Sequence, residues 1–270
     1  MIIGTLGPQG TFSEKAARQW NDKAELRYYD DILDAVDALL RNEVDYSVVP
    51  IENSLEGSIT LTLDLLMEQQ LKIIGEVIVP IKLCLLSKGK KEDIKIIMSH
   101  PQPLSQCRKY IKNNFKGVEV RSSPSTSHAA KLARESNEIA AVASGESAVL
   151  YGLNILDENI QDAKENFTRF IVIGRSALPP SGNDKTSIIV YLEKNRPGAL
   201  YEILGEFANR GIDLTKIESR PTKKILGDYL FYIDLKGHIE DRIIKDALDR
   251  IKNKVGMLKI LGSYPAASNQ

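Results

Sequence analysis

IIGEVIVPIKLCLL, residues 73–86, is a long aliphatic run with no helical period inside it. Its β-branched residues favour extended backbone, and such a run is long enough to leave one sheet and enter another. A later run, FTRFIVIG (167–174), is placed to carry the chain back. The pair predicts two α/β lobes, the second inserted into the first, with a cleft between them. Periodicity by itself leaves the insertion open.

Outward from this run, strand and helix signals alternate. Before it come a strand at 1–6, a helix capped by Ser13 that carries Ala16, Ala17 and Trp20, and a strand at 25–29. A helix at 31–41, a buried strand at 46–51 and a helix at 60–69 follow, and the run itself reads as strands 72–79 and 83–86. After it come strand 94–98, a single helix 101–115 with Leu104, Cys107 and Ile111 on one stripe, and strand 118–121. Pro101 suits a first helical turn, where its missing N–H costs nothing. Helix 125–135, strand 139–143, helix 146–150 and strand 167–174 complete the region. Alternation of this kind argues for an α/β fold with mostly parallel sheets.

SALPPSGNDK (176–185) then breaks all periodicity, and its prolines, glycine and polar residues mark a domain boundary. Beyond it the order is strand 186–192, helix 198–210, strands 212–218 and 227–235, helix 240–253 and strand 257–261. That is βαββαβ, a ferredoxin-like arrangement. Leu200, Ile203, Leu204, Phe207 and Ala208 recur at helical spacing, and Gly211 ends that helix. Domains at 1–178 and 186–264 are expected.

Composition narrows the function. Of 270 residues 43% are apolar, enough for packed cores, and Lys+Arg and Asp+Glu both total 36. With a net charge of +0, no overall field recommends nucleic acid or an anionic membrane. Glu76 and Lys82 interrupt the most apolar run, which is too short to span a bilayer. MIIG at the N-terminus has no basic flank, so it does not read as an export signal. Two cysteines give no disulfide framework. A cytoplasmic protein is expected.

The chemistry-bearing residues have ordinary roles to set beside special ones. His100, His128 and His238 show no paired ligand spacing, so no metal and no cofactor is expected, and solvated or capping roles suit His128 and His238. Cys107 reads as a small core residue. Gly4, Gly7 and Gly10 depart from dinucleotide-loop spacing, and Ser125 to Ser127 read first as a helix cap. Glu52 and Glu56 are solvated or paired unless burial raises a pKa. Thr168 alone is an ordinary strand threonine. Along its strand Asn166, Thr168 and Phe170 share one face, and Arg169 points to the other.

Taken together, four islands point elsewhere: GPQGTFS (7–13), VPIENSLEG (49–57), SHPQ (99–102) and NFTRF (166–170). They place small hydroxyls and amides on loops and helix starts, where neutral donors suit an anionic carboxylate. With SHPQPLSQC (99–107), STSHAA (125–130) and AAVAS (140–144), in this order, they resemble the prephenate dehydratase family. NRPGAL (195–200) and KIESRP (216–221) resemble the two effector motifs of an ACT regulatory domain. The resemblance covers nearly the whole chain. Pro103 stands where the family commonly has a small residue.

The resemblance implies a catalytic region of periplasmic-binding-protein type with its active site between lobes, followed by an ACT domain. It implies decarboxylating dehydration of prephenate to phenylpyruvate, with feedback control by L-phenylalanine and no fused chorismate mutase. Thr168 is then the catalytic position. Thr11, Ser13, Asn53, Ser54, Ser99, Thr126, Ser127, Asn166, Arg169 and Phe170 are the substrate-binding candidates. Asn195, Gly198, Ala199, Leu200, Glu218, Ser219 and Arg220 are the effector-binding ones. ACT domains pair across subunits, so a homodimer or homotetramer is expected. Arogenate dehydratase and a non-enzymatic two-lobed ligand sensor are the alternatives.

Overall fold

The computed structural model describes residues 1–192, 196–223 and 227–267. In chain order β1 (Ile2–Leu6), α1 (Phe12–Trp20), β2 (Glu25–Tyr29), α2 (Ile32–Leu40), β3 (Tyr46–Asn53), the short β4 (Gly57–Ser58) and α3 (Thr60–Glu68) lead to β5 (Lys72–Pro80). Then come β6 (Cys84–Ser87), β7 (Ile96–Ser99), α4 (Pro101–Gln106), α5 (Arg108–Asn114), β8 (Glu119–Ser122), α6 (Thr126–Ala133), β9 (Ile139–Ala143), α7 (Gly145–Tyr151), β10 (Asn154–Asp157) and β11 (Phe167–Gly174). The remainder is β12 (Asp184–Tyr191), α8 (Ala199–Ala208), β13 (Leu214–Pro221), β14 (Tyr229–Lys236), α9 (Arg242–Lys252) and β15 (Met257–Pro265).

The first sheet runs β2-β1-β3-β11-β5 with β4 against β3, and the second runs β10-β6-β9-β7-β8. Every strand of the second lies, in sequence, between β5 and β11 of the first, which is the inserted lobe. The first sheet has β1 parallel to β2 and β3. The second is mixed rather than mostly parallel: β7 is parallel to β8 and β9, but β6 is antiparallel to β9 and β10. The chain enters the second lobe along β6 with no crossover helix, so the direction reverses. Its core is rich in alanine (Ala129, Ala130, Ala133, Ala141, Ala143 and Ala148), which lets α6 and α7 sit close to the sheet.

Local chemistry corrects several expected boundaries. Thr11, not Ser13, caps α1: its hydroxyl accepts from Glu14 N at 3.2 Å, and Ser13 lies inside the helix. The single helix at 101–115 is two. Cys107 leaves helical geometry at φ −112°, ψ 16°, the Gln106 carbonyl takes the Asp162 N–H at 2.7 Å, and the Asp162 carboxylate takes the Lys109 N–H at 3.1 Å. Asp162 thus supplies the bonds that a continuous helix would have made internally. β10 was not expected; it is a short edge strand whose Ile155 is exposed, so it carries no alternation. β15 runs beyond Gly262 because a Cβ there would stand 2.1 Å from the Ile73 carbonyl oxygen, and glycine allows that approach.

Two compact units result: Met1–Ile59 with Val77–Phe170, and Thr60–Glu76 with Ile171–Gln270. The second contains an antiparallel sheet ordered β13-β14-β12-β15, with α8 and α9 packing on Ile188, Val190, Ile233 and Leu235. This is the expected βαββαβ unit. It also takes in residues 60–76, so compactness does not break at the linker. Tyr232 Oη donates to the Leu63 carbonyl at 2.8 Å, Lys72 Nζ to Ile260 at 2.6 Å, and Lys259 Nζ to Met67 and Gln69, each at 2.7 Å. Glu76, buried, receives Lys185 Nζ at 2.8 and 2.9 Å and the Ala267 N–H at 3.0 Å, which compensates its desolvation. His238 is buried rather than solvated. Its Nδ1 accepts from Glu240 N, so Nε2 carries the proton and donates to the Leu178 carbonyl at 3.2 Å.

Candidate active site

A cavity of about 270 Å³ lies between the two lobes of the first unit. Three helices begin on its wall: α1, α4 and α6, whose capping residues Thr11, His100 and Ser125 all line it. Each cap binds a backbone N–H of its own helix, from Glu14, Gln102 and His128 respectively. First-turn residues Phe12, Ser13, Gln102, Pro103 and Thr126 complete that part of the lining, and Asn53, Gln106 and Thr168 also belong to it. Among the described residues no Lys or Arg lines the cavity, and His100 is the one titratable side chain on its wall. Unsatisfied N–H groups and aligned peptide dipoles at helix starts attract anions without a formal positive charge.

Asn53 organises the side of the cavity that carries Thr168. Its Oδ1 accepts from the backbone N–H groups of Leu55 (3.0 Å) and Glu56 (3.2 Å), which fixes which way the amide faces. Nδ2 therefore turns to Asn166 Oδ1 at 2.9 Å, Thr168 Oγ1 at 3.0 Å and the Phe167 carbonyl at 3.2 Å. Thr168 receives a hydrogen bond from this amide, which leaves its own O–H to donate. A hydroxyl both oriented and 9% exposed is a pre-aimed donor in a dry site. Asn166 Nδ2 continues the chain to Gln106 Oε1 at 3.1 Å, and Gln106 Nε2 reaches Glu56 Oε1 at 3.4 Å. Asn166, just before β11, and the α4 residue Gln106 are thereby tied together.

Asn53→Asp tests this reading. Asp keeps both acceptor contacts to Leu55 and Glu56 and loses the donor to Thr168. The expected result is a folded protein whose kcat drops by roughly 10- to 100-fold, since a buried charged-or-polar mismatch costs on the order of 1–3 kcal/mol. Circular dichroism with steady-state rates checks it.

The structure brings Thr11, Ser13, Asn53, Thr126 and Thr168 to the cavity wall and places the other substrate-binding candidates elsewhere. Ser99 donates to the Val142 carbonyl at 2.6 Å, inside the second lobe. Ser54 Oγ accepts from Phe167 N at 3.0 Å and stitches the 53–57 loop to β11. Ser127 is buried next to Gly10, and Asn166 acts through Asn53. Arg169 faces away as strand alternation requires, 3.7 Å from the Glu52 carboxylate. Phe170 is 2% exposed, a core residue off the lining. Cys107 is also core: burial pushes its thiol up to about 12. His100, Gln102, Gln106 and Ser125 also line the cavity without having been named as binding residues, although His100 and Gln102 belong to the SHPQ island and Ser125 to the predicted cap. The signal was present in SHPQPLSQC, where the cap role falls on His100 because Ser99 ends a buried strand.

In the second unit, Gly198 holds φ +83° at the start of α8, followed by Ala199 and Leu200. Ser219 pairs in register with Phe231, on the helix-bearing side of the sheet. Glu218 and Arg220 alternate to the other side, where Glu218 is 3.5 Å from Lys216 and Arg220 3.6 Å from Asp64. Ser219 is therefore on the opposite face of β13 from Glu218 and Arg220, and Asn195 lies outside the described residues. Among the described residues no group of three His, Cys, Asp or Glu side chains is placed to hold a metal ion, and no helix is long and apolar enough to cross a membrane.

Residues 3–177 match the family model for prephenate dehydratase, and residues 186–253 match that for the ACT domain. The prephenate dehydratase of Methanocaldococcus jannaschii is 44% identical over 274 residues, covering 98% of this chain and 97% of that one. A prephenate dehydratase from Arthrobacter aurescens, solved in complex with L-Phe, superposes with a TM-score of 0.90 at 37% identity, over 100% of this chain and 92% of that one. GqqA, described as a novel type of quorum quenching acylase, superposes with a TM-score of 0.88 at 31% identity, over 99% and 98%. Fold, site and matches together define a two-lobed α/β lyase with an appended ACT domain. The chain belongs to the prephenate dehydratase family.

Proposed function

We propose that the inter-lobe cavity holds prephenate and that Thr168 assists the departure of its hydroxyl. Prephenate carries two carboxylates and a hydroxyl on a non-aromatic ring. As the ring carboxylate leaves as CO2, the C–C bonding pair enters the ring and the C–O bond breaks, giving an aromatic ring and water. The protein must hold a dianion, orient the departing groups and help supply one proton. The convergence of three helix starts on one cavity without Lys or Arg is the observation that supports dianion binding. Thr168 donates to the leaving oxygen; an alcohol is too weak an acid to protonate it alone, so a second group or water supplies that proton.

The acylase description of GqqA would need a nucleophile activated by a base. Thr168 here is bound by the amide N–H of Asn53, a donor that cannot take up a proton, and this favours the lyase reading. Catalysis is assigned to residues 1–178 and control to 186–264, in a cytoplasmic homodimer or homotetramer with L-phenylalanine as effector. The A. aurescens complex with L-Phe supports that effector.

Purified protein should release phenylpyruvate from prephenate with no metal or organic cofactor added, and faster than it converts arogenate. The two substrates assayed side by side, with and without a chelator, test this. Faster turnover of arogenate would reassign the substrate. Activity lost to the chelator and restored by a metal ion would end the cofactor-free reading.

A further inference from the structure

We propose that α3 is a relay from the ACT sheet to Thr168, and that Asp64, Arg220 and Tyr232 are positioning residues that act through it on Asn53. The proposal rests on the reading of L-phenylalanine as the effector of the ACT unit. Residues 60–76 lie in the same compact unit as that sheet, and three of its strands hold the helix. Tyr232 of β14 alternates with Ile233, a residue of the helix-bearing face, so its phenol points to the other face. There its Oη donates to the Leu63 carbonyl at 2.8 Å, and both residues are buried. Lys259 of β15 donates from Nζ to the carbonyls of Met67 and Gln69, each at 2.7 Å, which places a cation on the carbonyl end of α3. Arg220 of β13 stands 3.6 Å from the Asp64 carboxylate, and Lys223 stands 2.6 Å from it. Arg220 follows Ser219 by one peptide bond but lies on the opposite face. A ligand held at Ser219 therefore moves Arg220 against α3, which gives this arginine a role other than ligand contact.

The first residue of α3, Thr60, follows a tight hairpin that contains Asn53. Glu52 pairs with Ser58 and Asn53 with Gly57, and the Ile59 N–H donates to the Ile51 carbonyl at 2.8 Å. Within the hairpin Asn53 Oδ1 holds the N–H groups of Leu55 at 3.0 Å and Glu56 at 3.2 Å, and the Ser54 N–H donates to the Phe167 carbonyl at 2.9 Å. A loop bonded in this way moves as one piece, so a shift at the start of α3 re-aims the Asn53 amide. That amide orients Thr168 Oγ1 at 3.0 Å. Hydrogen bonds weaken steeply as their angle departs from linearity. A misplacement of about 1 Å in such a constellation costs on the order of 10² in rate. Control of this kind acts on one hydrogen bond beside the cavity.

Asp64→Asn in the full-length protein is the test. Tyr232→Phe is the second variant, because it keeps the buried ring and removes only the hydroxyl that holds Leu63. Each should weaken inhibition by L-phenylalanine, read as the ratio of prephenate turnover without and with it, by roughly 2- to 30-fold, the range for residues along a coupling route. The calorimetric affinity for L-phenylalanine should stay within about threefold of wild type, since the variants touch the coupling and not the effector site. Lost phenylalanine binding would place these residues in the effector site and overturn the relay. A merely structural role would lower the thermal midpoint and leave the inhibition ratio unchanged, which also overturns it. One readout needs no effector. Hydrogen exchange at the Leu55 and Glu56 amides should quicken several-fold in both variants, while the amides of β12 keep their rates. Unchanged exchange at Leu55 and Glu56 overturns the relay whatever the effector is. A wild-type protein that L-phenylalanine neither binds nor inhibits, with exchange quickened in the variants, refutes the effector reading alone.

Discussion

Thr168→Val should fold normally and lose kcat by about 10² or more, with KM little changed. Valine matches threonine in branching and volume, so β11 keeps its conformation and its place beside β3. What disappears is the hydroxyl that Asn53 Nδ2 holds at 3.0 Å. Two effects then add. The transition state loses a donor aimed at the oxygen where charge develops, and in a water-excluded site one such donor is worth on the order of 10²–10³ in rate. The Asn53 amide also loses an acceptor, but it keeps Asn166 Oδ1 and the Phe167 carbonyl, so little stability is lost. An effect on kcat and kcat/KM alike identifies an interaction made mainly in the transition state. A thermal midpoint within a few degrees of wild type, with near-normal kcat, would show that Thr168 is structural and that another group assists the leaving oxygen.

How much of this was legible in the sequence follows from what kind of physics each feature uses. The run 73–86 suggested an inserted lobe without establishing it, since strands β5 and β6 follow each other with no helix between, and the family resemblance carried the rest; the ACT unit could be read because α8 buries Ile203 and Phe207 at helical spacing. The break at Cys107 was not legible. It depends on Asp162, more than fifty residues away in sequence, whose backbone N–H and carboxylate replace helical partners. Site residues divide the same way. Thr11, Ser13 and Thr126 reached the cavity because helix starts expose their polar groups, and Asn53 and Thr168 because they stand at the ends of β3 and β11. Ser99 and Ser54 carry the right hydroxyl but spend it on backbone, at Val142 and Phe167. Residue type announces what a side chain can bond to, and only the fold decides whether a local partner reaches it first. His100 and Gln106 were passed over because their value lies in position, one at a helix start and the other facing Asn166.

In the intact protein, L-phenylalanine should weaken prephenate turnover, and Gly198→Val should abolish most of that response. A free amino acid needs N–H donors for its carboxylate, and the start of α8 offers them around Gly198 and Leu200, the Ala199 N–H being taken by the Arg196 carbonyl at 3.1 Å. Gly198 sits at φ +83°, a conformation that a β-branched residue reaches only at a cost of about 1–2 kcal/mol. A Cβ there would meet no atom within 4 Å, so the damage comes from the backbone refolding its turn rather than from a clash. The path to the active site runs along the chain itself. β11 carries Thr168 and a few residues later, at Ile171, enters the compact unit that contains the ACT domain; β5 crosses the same boundary between Glu76 and Val77. An effector that reshapes that unit therefore acts on the strand bearing Thr168. A coupling of about 1–3 kcal/mol corresponds to a 5- to 150-fold change in affinity, and prephenate must weaken phenylalanine binding by the same factor. The measurement is the ratio of rates with and without phenylalanine, in which any change of the uninhibited rate cancels, together with calorimetric titration of phenylalanine in the presence of a non-reacting prephenate analogue. Inhibition of Gly198→Val equal to that of wild type would place the effector in the catalytic cleft, as a competitor of the substrate, and remove the regulatory role assigned to α8.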